Sequence, residues 1–245
     1  MFADGPAALA RPSAVRAPVA VIAALGLEGA CLTRLAVAPS VLSVMQCGPG
    51  AARAAAAAAR ALERGAKGLV SWGLAGGLDG DAAPGSIVLP DVVVTSRGEQ
   101  FSADRPWSER IAAALDGRFR LIRGALLAAD AVLSAPEAKR RAARAHDAAA
   151  VDMESAAIAA AAVRARVPFV VVRAVADGAA DALPPGIERW IDAHGNLRLT
   201  PAVDAVLRPS CWPALWTLAL RHRTARRALE GVGRALAPQG FLLER

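Results

Sequence analysis

Residues 168–181 read PFVVVRAVADGAAD, an almost wholly apolar run that ends in an aspartate and a glycine. So continuous a run of valine and alanine is typical of a strand that is covered on both faces of its sheet. We therefore predict a core strand at Pro168–Ala176. Because ligands bind beyond the carboxyl ends of the strands in open α/β sheets, Asp177 and Gly178 are candidate site residues.

Similar apolar runs recur along the chain and alternate with alanine-rich helical stretches. The predicted strands are Val19–Leu25, Ser40–Gln46, Gly68–Gly73, Ser86–Leu89, Val92–Ser96, Phe119–Leu127 and Pro168–Ala176. The predicted helices are Ala51–Arg64, Pro106–Leu115, Pro136–Ala145 and Met153–Ala165. This alternation of strands and helices predicts an α/β domain.

Composition excludes several classes of protein. The chain has 245 residues, a hydrophobic share of 55% and a net charge of +7, which suits a folded domain with a real core. Its three cysteines are far apart and it has only three histidines, so neither a zinc site nor a disulfide framework is predicted, and a reducing cytoplasm fits best. The excess charge is arginine scattered among alanines, aromatic residues make up only 4%, and nucleic acid is therefore not a predicted partner.

The chain divides into three parts. Residues 1–17 mix alanine, proline and arginine without periodicity, and we expect a flexible leader there. Residues 18–190 contain the alternating elements and form the predicted catalytic domain. Residues 191–245 form a predicted helical tail. The longest stretch without charge, Leu35–Ala52, contains two prolines and two glycines, so no spanning helix is predicted.

Four segments, three after predicted strands and one at the opening of a predicted helix, carry glycines and acids that would meet in one crevice. The segments concerned are residues 48–50, 73–78, 151–155 and 177–179. Glycines let the backbone approach a ligand, and a helix amino end favours anions. Each segment also has an ordinary structural interpretation, since glycines form turns and acids such as Asp152 and Glu154 are favoured in the first turn of a helix. A carboxyl that is desolvated at Asp177 would have a raised pKa and could deliver a proton at neutral pH.

Five segments, in order, resemble the purine nucleoside phosphorylase and nucleosidase superfamily. They are VIAALGLEG at 21–29, QCGPGAA at 46–52, VSWGLAGGLDGDAAPGSIVLP at 70–90, AVDMESAAIAAAA at 150–162 and VVVRAVADGAAD at 170–181. The resemblance implies a three-layer α/β/α fold with a central mixed sheet, a homo-oligomer and cleavage of a nucleoside N-glycosidic bond. It implies no metal or redox cofactor, with phosphate as a possible co-substrate.

The resemblance also assigns roles to individual residues. Asp177 matches the acid that protonates the purine N7 and contacts the base. Glu154 matches the carboxylate that binds the ribose hydroxyls, and Met153 matches the side chain that packs on the sugar. Glu28 matches the glutamate that activates water in the 5′-methylthioadenosine/S-adenosylhomocysteine nucleosidases. Charge develops on the sugar and on the departing base, so carboxylates and a proton donor suit this reaction.

Two departures from the family pattern affect the predicted contacts with the purine base and the choice between phosphate and water as the acceptor. Residues 128–132 read AADAV, where nucleosidases carry a Ser-Gly-Asp-x-Phe string whose ring stacks on adenine, and Val132 and Leu133 are the candidates for contacts with the base. Ser71 and Leu74 stand where phosphorylases carry an arginine and a hydroxyl residue. The predicted phosphate or water site comprises Gly48, Gly50, Gly73 and Leu74. The sequence does not decide whether phosphate or water is the acceptor.

The tail resembles that of the hopanoid-associated phosphorylase branch. A Leu207-Arg208-Pro209 junction precedes tryptophans, leucines and an arginine cluster on a predicted helix. This composition is typical of an interfacial membrane helix and equally of a packing helix or an oligomer contact. The resemblance implies phosphorolysis of adenosylhopane with release of adenine. The protein would then be cytoplasmic and peripheral to the inner membrane.

Two alternatives accompany this prediction. The first is a water-using nucleosidase of 5′-methylthioadenosine or S-adenosylhomocysteine, which Glu28 favours. The second is a non-catalytic, membrane-associated module that binds a nucleoside without turning it over.

Overall fold

The computed structural model describes residues 18–35, 38, 41–184, 186–187, 192 and 212–243. The predicted leader at 1–17 and the junction at 207–209 lie outside these residues. The strands are β1 (Val19–Ala23), β2 (Leu42–Gln46), β3 (Gly68–Gly77), β4 (Ile87–Val88), β5 (Val92–Thr95), β6 (Gln100–Ser102), β7 (Leu121–Ile122), β8 (Ala125–Ala128), β9 (Ala148–Asp152) and β10 (Phe169–Asp177). The helices are α1 (Gly26–Thr33), α2 (Ala51–Glu63), α3 (Arg105–Leu115), α4 (Pro136–His146), α5 (Ser155–Ala165) and α6 (Trp212–Leu236), and a 3₁₀ helix follows at Ala237–Leu242.

The strands of the described residues form one mixed sheet around β3. Strand β3 pairs in parallel with β1 and β10 and antiparallel with β9. The order along the main path is β6-β5-β8-β9-β3-β10-β4-β7, and β2 extends the sheet beside β1. The predicted α/β class with a mixed sheet is confirmed.

Both faces of the sheet are covered, and β1 illustrates how. Its Val19 and Val21 face a core that α1, α3 and α6 complete. Its Ala20 and Ile22 point to the opposite face, where alanines of α2 and α5 pack closely. Side chains alternate across a strand, so a run that is apolar at every position needs a helical layer on each side. The three-layer α/β/α prediction is therefore confirmed.

A strand that was not predicted precedes helix α5. Residues 148–152 form β9, and helix α5 begins at Ser155, so the predicted helix start at Met153 was wrong by two residues. Alanine favours helices, but Ala150 pairs with Leu126 of β8 and Val151 pairs with Gly76 of β3. Pairing on both sides overrides the local propensity.

Several other boundaries differ from the prediction. The predicted strand Phe119–Leu127 is two strands, because Gly124 adopts a φ of 94° between β7 and β8. The strand predicted at Val19–Leu25 ends at Ala23, and the unpredicted helix α1 follows it. Strand β3 continues past Gly73, its predicted end, and β6 was not predicted.

The predicted C-terminal helix exists, and its second half belongs to the core. Ala225, Leu229 and Val232 of α6 are fully buried against the sheet and α1. Trp216 and Leu220, nearer its start, are 70% and 49% exposed. Among the described residues, no helix is both long enough and apolar enough to cross a membrane.

Candidate active site

A cavity of about 240 Å³ opens beyond the carboxyl ends of β1, β3 and β10, as the sheet topology predicts. Glu28, Glu154 and Asp177 line it together with Met153. Residues 131–133 and Leu183 supply an apolar wall. The predicted convergence of the strand-end segments on one crevice is therefore present, and the carboxyls of Asp177 and Glu154 face the same space.

Arg173, in the middle of β10, organises the acids on one side of the cavity. Its side chain is 1% exposed, and its Nη2 lies 2.6 Å from Asp152 Oδ2 and 3.7 Å from Glu154 Oε2. The same nitrogen donates to Ser71 Oγ at 2.9 Å. Asp152 also accepts a hydrogen bond from the Ser155 hydroxyl at 2.5 Å. A buried guanidinium needs paired carboxylates, so Asp152 serves mainly as a partner of Arg173.

Glu154 lies two residues after the end of β9, at the N-cap of α5. Its Oε1 accepts the backbone N–H of Gly50 at 2.8 Å, which joins the loop after β2 to this side of the cavity. Burial raises the pKa of Glu154, while the charge of Arg173 opposes that rise. The carboxyl is thus held at a fixed point beside the cavity.

Glu28 is fixed by two backbone amides. On α1 it is 5% exposed, and its Oε2 accepts the N–H of Leu25 at 2.8 Å. Its Oε1 accepts the N–H of Leu74 at 2.9 Å. Burial raises the pKa of Glu28 to about 7, although Arg173 and both amides lower it. A carboxyl with this pKa can take up a proton near neutral pH, as a general base must.

Because Gly73 has no side chain, the carboxyl of Glu28 can lie close to β3. A Cβ at Gly73 would lie 2.7 Å from the Glu28 carboxyl carbon and 2.5 Å from Arg173 Nη1. The φ of 153° at this glycine is also one that side chains rarely adopt. The glycine is required for the approach of the carboxyl to the strand.

Asp177 ends β10, where a bulge shifts the register between Val175 and Asp177. Its Oδ2 accepts a hydrogen bond from Nζ of Lys139, which is completely buried on α4. Burial raises the pKa of Asp177, and the charge of Lys139 partly offsets this effect. The predicted desolvation of this carboxyl is present, together with a cation that the prediction did not include.

The other predicted residues are distributed around these carboxyls. Leu133 and Val132, which is 39% exposed, line the cavity on the apolar side. Leu74 lines it as well, while Gly50 and Gly73 contact the glutamates behind the lining. Gly48 lies in the turn before α2 with a φ of 80°, outside the lining residues.

Sequence reasoning missed Arg173 and Lys139. Arg173 interrupts a valine strand that is otherwise suited to full burial, and such a cation needs buried acids. Lys139 is one of only two lysines in a chain rich in arginine. Both signals are present in the sequence, but neither identifies the partner. Among the described residues, no group of three or more His, Cys, Asp or Glu side chains could hold a metal ion.

The family model of the phosphorylase superfamily matches residues 31–204. The chain belongs to the phosphorylase superfamily. It is an enzyme of the nucleoside phosphorylase and nucleosidase class. A search among curated proteins found no match to the sequence.

Solved structures similar to this superfamily member include two nucleosidases and a hydrolase. The S-adenosylhomocysteine nucleosidase of Streptococcus pyogenes, solved with 5-methylthiotubericidin, is 24% identical over 67% of this chain and 85% of that chain, with a TM-score of 0.61. The 5′-methylthioadenosine/S-adenosylhomocysteine nucleosidase of Neisseria meningitidis, solved with methylthio-immucillin-A, is 21% identical over 87% of this chain and 98% of that chain, with a TM-score of 0.62. The futalosine hydrolase of Helicobacter pylori is 15% identical over 88% of this chain and 97% of that chain, with a TM-score of 0.65. At these identities the similarity is one of fold.

Proposed function

We propose that the protein hydrolyses the N-glycosidic bond of an adenine nucleoside. The observation that carries this proposal is the buried carboxyl of Glu28, whose pKa is raised to about 7 and which faces the same cavity as Glu154 and Asp177. A base, a carboxylate and a proton donor around one cavity are the groups that this reaction needs. The adenine moiety is proposed from the similar structures, which are named as nucleosidases of adenine compounds.

Each carboxyl has one role in the proposed mechanism. The bond between the anomeric carbon and the purine nitrogen breaks, and its electron pair goes to the base. Asp177 gives its proton to the purine N7, so that the base leaves as a neutral molecule. Glu154 lies beside the electron-poor sugar and binds its hydroxyls, with Met153 packed on the ring. Glu28 takes one proton from water as the water oxygen bonds to the anomeric carbon.

The contacts of the glutamates favour water over phosphate as the acceptor. The N–H groups of Gly50 and Leu74, which the sequence suggested for phosphate, donate to Glu154 and Glu28 instead. The single guanidinium of this cluster, Arg173, already pairs with Asp152. A phosphate dianion placed here would lie beside the carboxylates of Glu28 and Glu154, which opposes its binding. A neutral water molecule carries no such cost.

The acceptor is tested by running the reaction with and without phosphate. We expect equal rates of adenine release in both, with free sugar as the product and one ¹⁸O atom incorporated from labelled water. A panel of adenosines that differ at the 5′ position, including one linked to a lipid, identifies the preferred substituent by mass spectrometry. Release of sugar 1-phosphate that depends on phosphate would refute hydrolysis and support the phosphorolysis predicted from the tail.

The exposed start of α6 favours a second candidate, in which the substrate is a lipid-linked adenosine such as adenosylhopane. Trp216 and Leu220 are one turn apart and exposed, and the exposed Arg223 and Arg227 follow them at helical spacing. Aromatic and aliphatic side chains beside arginines suit an anionic membrane surface. We propose that this stripe brings the enzyme to the bilayer that holds its substrate.

Point substitutions test this membrane contact better than truncation, because α6 also supplies Leu229 to the core. The double variant Trp216→Ser, Leu220→Ser is compared with the wild type in co-sedimentation with vesicles that contain anionic lipid. Val163→Ser, which changes another exposed apolar residue, is the control. We expect the double variant alone to lose binding, and equal binding by all three proteins removes the proposal.

A further inference from the structure

Each of the three N–H groups of the Lys139 ammonium has a hydrogen-bond acceptor. The residue is completely buried, and its Nζ donates to Asp177 Oδ2, to Gly178 O at 2.8 Å and to Asp181 O at 3.0 Å. An ammonium group has three N–H donors, so all of them are used. Such a fully bonded cation holds one oxygen of Asp177, and the other oxygen, Oδ1, can carry a proton.

The turn that supplies two of these acceptors is itself held by Asp181. Asp181 Oδ2 accepts the N–H of Gly178 at 2.8 Å, and its own N–H donates to Gly178 O at 3.1 Å. These bonds fix residues 178–181 in one conformation. The turn therefore keeps both carbonyl oxygens directed at Lys139.

An arginine of the C-terminal helix completes the arrangement. Arg221 Nη1 lies 2.6 Å from Asp181 Oδ1, and the two side chains are 36% and 16% exposed. One turn further along α6, Ala225 is fully buried in the core, which fixes the position of the helix. Contacts thus run without a break from α6 to Asp181, Lys139 and Asp177.

We propose that Lys139 and Asp181 are positioning residues for the proton donor Asp177, and that Arg221 makes helix α6 part of the catalytic apparatus. This inference rests on the proposed function, in which Asp177 protonates the departing base. Lys139 restricts the carboxyl to one orientation. Its charge also stabilises the carboxylate that remains after the proton has moved, so that Asp177 becomes a stronger acid.

The charged groups around Asp177 predict a specific change in the dependence of kcat on pH. Lys139 and Arg221 lower the pKa of Asp177, and Asp181 raises it. A general acid works only while it is protonated, so its pKa sets the alkaline limb of the dependence of kcat on pH. Removal of either cation should move that limb to higher pH and, by weakening and misplacing the acid, should lower the maximum.

Kinetics of Arg221→Ala, Arg221→Lys and Lys139→Met test the proposal, with Arg105→Ala as the control. Arg105 forms an exposed ion pair with Glu109 on α3. For Arg221→Ala we expect kcat to fall about tenfold with KM changed less than about threefold, and for Lys139→Met we expect a fall of about a hundredfold. Arg221→Lys should restore part of the loss, and Arg105→Ala should match the wild type. Kinetics of Arg221→Ala equal to those of Arg105→Ala, or a lower kcat with an unmoved alkaline limb, would overturn the inference.

A measurement that does not need turnover separates this inference from the proposed function. The pKa of the Asp177 carboxyl is followed by ¹³C NMR in labelled aspartate, assigned with Asp177→Asn. We expect a higher pKa in Arg221→Ala and in Lys139→Met than in the wild type. Arg221→Ala carries the test should Lys139→Met fail to fold. Identical pKa values in the wild type and in Arg221→Ala refute the inference whether or not the protein releases adenine.

Discussion

Replacement of Glu28 by glutamine should make the protein more stable at pH 8 while it abolishes the proposed water activation. In the folded protein burial raises the pKa of Glu28 from 4.5 to about 7. The folded state therefore holds this proton more tightly than the unfolded chain does. The stabilisation is complete below the unfolded pKa and is lost as pH rises through the folded pKa.

The size of the effect follows from the two pKa values. A tenfold change in acidity is worth about 1.4 kcal/mol, so a rise from 4.5 to about 7 costs the folded state about 3 kcal/mol once Glu28 is fully ionised. Most of this loss falls between pH 5 and pH 8. Glutamine does not ionise, but its amide can accept from only one of the two N–H groups of Leu25 and Leu74. That mismatch costs about 1 kcal/mol at any pH.

Urea denaturation at pH 5 and pH 8 measures the difference. We expect Glu28→Gln to be about 1 kcal/mol less stable than the wild type or equal to it at pH 5, and about 2 kcal/mol more stable at pH 8. Glu63→Gln, at an exposed position of α2, should change stability by less than about 0.5 kcal/mol at either pH. A Glu28→Gln variant whose stability relative to the wild type is the same at both pH values would show that this carboxyl ionises normally, and the proposed base would be wrong.

Three further substitutions examine the site and its support. Asp177→Asn removes the proton donor and should lower kcat for adenine release by about a hundredfold or more, and unchanged release would exclude Asp177 as the acid. Gly73→Ala should displace the Glu28 carboxyl and lower kcat about tenfold, because the new Cβ would lie 2.7 Å from it, whereas Gly80→Ala meets no atom within 4 Å and should behave as the wild type. Leu229→Ala should cost about 2–5 kcal/mol in urea denaturation because this side chain is 1% exposed, and a loss below 1 kcal/mol would contradict its place in the core.

The candidate site could be predicted only in part, because some of its residues follow from local sequence patterns and others from tertiary packing. Asp177 ends a strand whose position can be read from hydrophobic patterning, whereas Glu154 follows β9, which this patterning did not predict. Lys139 lies 38 residues from Asp177 and meets it only because α4 packs against β8 and β9, within reach of the Asp177 carboxyl. The neighbouring cations of its helix are arginines, and the rarity of lysine in this chain does not identify the partner of Lys139. Its burial depends on the neighbouring elements alone.

Secondary structure was predictable to a similar extent. Strand β10 and helix α2 were predicted within two residues of their bounds, since a mostly apolar, valine-rich run and an alanine run are strong local signals. Strand β9 was missed because its alanines favour a helix locally and pair as a strand only where β3 and β8 lie on either side. Homo-oligomer formation and a cytoplasmic location stay predictions.

The sequence by itself determined the α/β class, most of the strands and the set of candidate acids and glycines, because hydrophobic period and turn chemistry are local properties of the chain. Only the tertiary structure decided which of those acids are buried at the cavity. Desolvation raises the pKa of Glu28 and of Asp177, and Arg173 and Lys139 oppose it from other elements. These pKa shifts depend on burial and on distances between residues that are remote in sequence. Both arise only when the sheet and its helices are assembled.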